Sequence, residues 1–148
     1  MPMDTSVIVA VISTAAAVTV AALSFYFSKK KDREADWRKY KYEQYKEFLV
    51  SVSGTVGTDS TPDGNRSFAK ACNTLHLIGT KGVIVALHAY QDEIRVSNPN
   101  HSVALHDALL SKLIWEIRKD LEIPGTPEES DFSVHLWCSG ANESKRNT

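Results

Sequence analysis

The sequence predicts an all-α chain: an N-terminal transmembrane helix that continues into a long helix, then a small antiparallel helical bundle with a short extended C-terminal arm. Three observations carry this. Residues 5–27 contain no Lys, Arg, Asp or Glu, and Lys29-Lys30-Lys31 follow directly. Residues 28–52 contain no Pro or Gly and are mostly good helix formers. Beyond residue 61, three stretches repeat apolar residues at helical spacing, each closed by Gly or Pro.

The first element is residues 5–27. At about 1.5 Å per residue it makes a helix of roughly 33 Å, enough for a hydrocarbon core of roughly 30 Å. Only Asp4 and the terminal amine precede it, whereas Lys29, Lys30, Lys31, Arg33, Arg38, Lys39, Lys41 and Lys46 follow. Basic flanks stay on the cytoplasmic side. The expectation is a single-pass protein of the cell inner (plasma) membrane, N-terminus outside and residues 28–148 in the cytoplasm. The competing reading is a cleaved signal peptide, with Ala22-Leu23-Ser24 as its cleavage site. It fits less well, because residues 1–5 carry no Lys or Arg and Phe25-Tyr26-Phe27 prolong the apolar run. Ser13, Ala17 and Ala21 recur every four residues and form a small-residue face on which a second helix can pack closely. The plainer reading is that such residues are common in spanning helices.

Residues 28–56 form a juxtamembrane basic and aromatic helix. Its stripe is Trp37, Tyr40, Gln44, Phe48 and Val52, widened by Tyr45, Leu49 and Val56. Lys29, Lys30, Lys31, Arg33 and Trp37 are the expected contacts with anionic lipid headgroups, since each such cation gains about 1 kcal/mol at an anionic leaflet. The alternative is that these charges only set topology. Nucleic acid is not an expected partner: net charge is −1 and no recognition motif is present.

Residues 61–123 form the bundle. Its first helix starts near Thr61, with Pro62 at the first position and Phe68, Cys72, Leu75 and Ile78 as its stripe. Gly79 ends it and Thr80 caps the next helix, whose stripe is Val83, Ile84, Leu87, Tyr90 and Ile94. Ser97-Asn98-Pro99 breaks that helix. The last helix runs from about Ser102 to Leu121, with Leu109, Leu110, Leu113, Ile114 and Ile117 facing inward. Residues 124–140 are a loop and an arm: 132–137 alternate apolar and less apolar side chains, as a short strand or an extended segment would. Residues 141–148 read as a disordered tail.

Cys72 and Cys138 stand far apart in unlike contexts and do not suggest a disulfide framework. His101 and His106 are spaced wrongly for two ligands on one helical face, and His106 and Asp107 are neighbours whose side chains are expected to diverge. Glu128, Glu129 and Asp131 read as solvated loop charges. Arg118 and Asp120 read as salt-bridge residues of the bundle. No catalytic, metal or cofactor residues are assigned.

The segments Arg33-Glu34-Ala35-Asp36-Trp37-Arg38-Lys39, Tyr45-Lys46-Glu47-Phe48-Leu49 and the run from Leu113 to Leu121 resemble small uncharacterised bacterial single-pass proteins with an N-terminal anchor and a cytoplasmic helical domain. The group has no assigned activity, so the resemblance implies an architecture and no site. The expected function is a non-enzymatic, membrane-anchored helical module that binds a protein partner or itself. The alternative is an accessory subunit of a membrane enzyme or transporter, docked through its transmembrane helix.

Overall fold

The computed structural model describes residues 4–55, 57 and 60–137. Among them are four α-helices and no strand: α1 (Thr5–Ser53), α2 (Pro62–Ile78), α3 (Lys81–Ile94) and α4 (Val103–Asp120). A 3-10 turn follows at Glu129–Asp131. The all-α class is therefore as the sequence predicts. The chain divides after Lys39 into two units.

In the first unit, every described residue is exposed. Its apolar segment has the length and composition to cross a membrane, and none of it is buried within the protein. The hydroxyls of Thr14 and Thr19 donate to the Ala10 and Ala15 carbonyls, each at 2.8 Å. Such bonds satisfy a hydroxyl on a helix that has no polar neighbours.

The second unit opens with the remainder of α1, which ends at Ser53; Val56 lies outside the described residues. The buried seam of this helix is Tyr45, Phe48, Ser51 and Val52. It is rotated from the predicted stripe: Trp37 and Tyr40 are 49% and 42% exposed, and Lys41 takes the inward position one turn before Tyr45. Phe48 meets Phe68 of α2 at 5.9 Å between ring centres, and Phe68 meets Tyr90 of α3 at 6.4 Å. Leu75, Leu87, Leu110 and Leu113 complete a core shared by all four helices.

Cross-helix contacts give the directions. The end of α1 (Gly54 follows it) meets the start of α2 at Gly64, while the earlier Phe48 meets the later Phe68, so α1 and α2 are antiparallel. Gly82 and Tyr90 of α3 lie against Glu116 and His106 of α4, which makes that pair antiparallel too.

The helix ends follow capping rules. The Thr61 hydroxyl accepts the Gly64 N–H at 3.0 Å, and Pro62 occupies the first turn. The Gly79 N–H closes α2 on the Leu75 carbonyl at 2.8 Å. Between α3 and α4 the buried Glu93 carboxylate accepts the Asn98 side-chain amide at 3.1 Å and the Ser102 N–H at 2.7 Å, which ties the loop. At the end of α4, the Ile123 N–H reaches the Arg118 carbonyl and the Glu122 N–H reaches the Lys119 carbonyl, both at 3.0 Å. Glu122, at φ 53°, occupies the left-handed position that glycine usually fills in this motif. The helix thus stops ahead of Pro124-Gly125.

Residues 132–137 are an extended arm, with no strand partner among the described residues. Phe132, Val134 and Leu136 are half-buried, and Ser133, His135 and Trp137 are exposed, so the alternation in the sequence is an alternation of burial. The Val134 N–H donates to the Ser111 hydroxyl at 2.9 Å and seats the arm on α4. Residues 138–140 of the predicted arm and the predicted tail at 141–148 lie outside the described residues.

Gly64 belongs to the first turn of α2. A Cβ there would stand 2.8 Å from the Gly54 carbonyl carbon and 3.1 Å from its Cα. Backbone cannot yield as a flexible side chain does. Gly64→Ala is therefore expected to cost about 2–3 kcal/mol, read as a lower urea midpoint at constant slope.

Candidate functional site

Lys29, Lys30, Lys31, Arg33 and Trp37 all lie on the exposed first part of α1. Lys30 pairs with Glu34 at 3.8 Å, and Lys29 stands over the Phe25 ring at 5.9 Å. Ser13, Ala17 and Ala21 share one face of the same helix, with no protein packed on it among the described residues.

The second unit holds three clusters of polar side chains. The first joins α1 to α4. Asp120 is the last residue of α4, where the helix dipole disfavours a negative charge. Its side chain is only 4% exposed, so it needs close partners. Lys41 donates to both carboxylate oxygens at 2.9 Å, and the Tyr45 hydroxyl donates to the same carboxylate. Burial, followed by the Asp120 hydrogen bond and charge, pushes the Tyr45 phenol above its usual range. Asp120 is thus the ion-pair residue that the sequence suggests. Arg118 is not: its guanidinium lies 5.7 Å over the Phe132 ring, and its Nε is buried with no hydrogen-bond partner.

The second cluster lines a cleft of about 620 Å³ between the α1–α2 turn, α3, α4 and the arm. Tyr90 Oη lies 3.1 Å from His106 Nε2, and His106 Nδ1 lies 3.0 Å from Asp107 Oδ1. The neighbouring side chains therefore converge, contrary to the expected divergence. The imidazole is long enough to bridge adjacent positions when Tyr90 holds its far end. An ionised carboxylate only accepts, so Nδ1 carries the proton and Nε2 accepts the Tyr90 hydroxyl. Burial, then the charges of Cys72 and Asp107, pushes the Tyr90 phenol up to about 12, which keeps it a donor. His135 of the arm stands 3.8 Å from the other Asp107 oxygen. Both nitrogens of His106 are occupied, so this ring ties α3 to α4 and presents no free base to the cleft.

The third cluster pairs α2 with α3. His76 Nδ1–H donates to the Cys72 carbonyl at 3.0 Å, which leaves Nε2 to accept from His88 Nε2–H at 2.9 Å. Cys72 is a small core residue, as its stripe position suggests; burial pushes its thiol from 9.0 up to about 11. Glu129 is not a freely solvated loop charge, because Lys112 pairs with it. Among the described residues, no group of three or more His, Cys, Asp or Glu side chains is placed to hold a metal ion.

Sequence reasoning missed the histidine pairs and the Lys41–Tyr45–Asp120 cluster. Each joins separate elements, and no spacing rule within one helix signals it. A charged Lys41 on the inward side of an aromatic stripe was the one available hint. No protein-family model, curated protein or solved structure matches this chain.

Tyr45, Cys72 and Tyr90 all hold their protons more tightly in the folded chain. Each contributes stability that is fully present below its unfolded pKa and is lost as pH rises toward its folded value. Unfolding free energy is thus expected to fall above pH 9, where an unfolded Cys72 begins to ionise. The slope is up to about 1.4 kcal/mol per pH unit for each group. Tyr90→Phe removes one of these contributions and leaves His106 Nε2 unpaired, so it lowers stability near neutral pH by about 1 kcal/mol and flattens the alkaline decline. Urea titrations followed by circular dichroism across that pH range check both.

Proposed function

We propose that this chain is a single-pass membrane protein whose first unit is an anchor and whose second unit is a helical binding module. One observation carries the reading: the apolar part of α1 is long enough to cross a bilayer and buries nothing against the protein. Apolar surface on that scale is costly in water. The back-bonded Thr14 and Thr19 suit a hydrocarbon environment, where a free hydroxyl has no water to bind. Lys29, Lys30, Lys31 and Arg33 then meet anionic headgroups with Trp37 nearby, and residues 28–148 face the cytoplasm.

The binding role rests on the second unit. Its polar clusters are spent on joining helices, and it has its own core built without residues 5–39. The Ser13–Ala17–Ala21 face favours a second reading, an accessory subunit docked through the transmembrane helix onto a membrane enzyme or transporter.

Membrane fractionation with alkaline carbonate tests the anchor. The full-length chain is expected to stay in the pellet, and protease is expected to digest residues beyond 28 in everted vesicles but not in right-side-out ones. A soluble mature chain beginning near Phe25 would replace the anchor with a signal peptide. Ala17→Phe separates the two functional readings: loss of a co-purifying membrane subunit with unchanged helicity favours the accessory subunit, and retention favours the cytoplasmic module.

A further inference from the structure

We infer that the groove between α1, α4 and the arm binds a single-chain amphiphile with a carboxylate head, a free long-chain fatty acid. The groove lies wholly in the second unit and does not depend on the anchor. Leu49 and Ser53 of α1, Ile114 and Arg118 of α4, and Phe132 and Val134 of the arm line it. Its volume is about 500 Å³, within the roughly 300–1,000 Å³ of small-molecule sites. On α1 it runs from Tyr42 to Ser53, about 16 Å along the helix axis. Leu49 remains 42% exposed within it, so this elongated trough is apolar surface left uncovered.

Charge selects the head group. Arg118 makes no ion pair or side-chain hydrogen bond among the described residues; its guanidinium rests on Phe132, and its Nε is shut off from water without a partner. A desolvated, unpaired donor costs about 1–3 kcal/mol. A carboxylate is the anion that a guanidinium fork grips at two points. Lys46, the other cation lining the groove, already pairs with Glu43 at 3.7 Å. One unpaired cation beside an apolar trough matches one anion on one apolar tail. A peptide would bring backbone N–H and C=O groups that need partners. Among the side chains lining the groove, the Tyr45 hydroxyl is taken by Asp120, which leaves the Ser53 and Tyr42 hydroxyls beside the two cations. A diacyl lipid would bring two tails to a single trough.

The test uses the full chain in phosphatidylcholine nanodiscs with a diazirine-bearing lauric acid as photoprobe, and maps the labelled peptides by mass spectrometry. Labels are expected on residues 42–53, 114–123 and 132–136, suppressed by excess laurate and not by methyl laurate. Arg118→Gln is expected to reduce this labelling about tenfold or more, with labelling of residues 5–27 by probe dissolved in the bilayer unchanged. Labels confined to residues 5–27, equal competition by methyl laurate, or no effect of Arg118→Gln would each overturn the assignment. Loss of labelling in phosphatidylglycerol discs would also overturn it, in favour of a membrane lipid. Leu49→Trp fills the trough and keeps Arg118, so it decides the matter if Arg118→Gln loses helicity. Lost labelling at wild-type ellipticity supports the site, and undiminished labelling refutes it.

Discussion

The second unit depends on a carboxylate placed where a helix least favours one. Asp120 closes α4 against the dipole and is nearly buried, so it persists because Lys41 and Tyr45 of α1 meet it. That contact sets the rotation of α1. With Lys41 and Tyr45 turned toward α4, Phe48 and Val52 fall on the core, and the helix ends where Gly54 can touch Gly64. The same rotation leaves Leu49 on the margin of α4, where it forms one wall of the groove beside Arg118. The registry of the bundle and this apolar surface groove therefore share one cause.

α1 answers to two sets of rules along its length. Residues 5–27 are uncharged and exposed on every side, so no face of them is set against a protein core. From Tyr45 onward a buried seam of Tyr45, Phe48, Ser51 and Val52 appears, while Leu49 and Val50 stay exposed. The basic residues between them belong to neither pattern. Under the reading of the chain as an anchored module, those residues mark the change of solvent from hydrocarbon to water. The groove would then give the module a ligand that membranes themselves release, without requiring the anchor to form the site.

Local rules made much of this fold legible. Thr61-Pro62 started α2, Gly79-Thr80 divided α2 from α3, and alternation at 132–137 marked which side chains of the arm turn inward, because each signal lies within a few residues. The stripe of α1 was read a step out of phase: aromatic Trp37 and Tyr40 look like core, and a lysine at 41 does not. Only a partner on α4, 79 residues away, makes Lys41 an inward residue. The need for glycine at 64 is not legible locally, because its reason is the backbone of Gly54, ten residues earlier in the chain. The histidines were invisible as pairs for the same cause: His76 and His88, or Tyr90 and His106, meet only after the helices have packed. The unpaired Arg118 was likewise hidden, since a basic residue in the last turn of a helix ordinarily signals a cap or a salt bridge.

Amide hydrogen exchange on the full chain in lipid nanodiscs, comparing wild type with Asp120→Asn, tests the Asp120 contact most directly. If that contact sets the register of α1, the variant loses protection in residues 42–53 and in the last turns of α4 together, by about tenfold or more, while residues 5–27 exchange as before. Unchanged protection in residues 42–53, or a loss confined to α4, would show that α1 holds its place without Asp120 and would contradict this account.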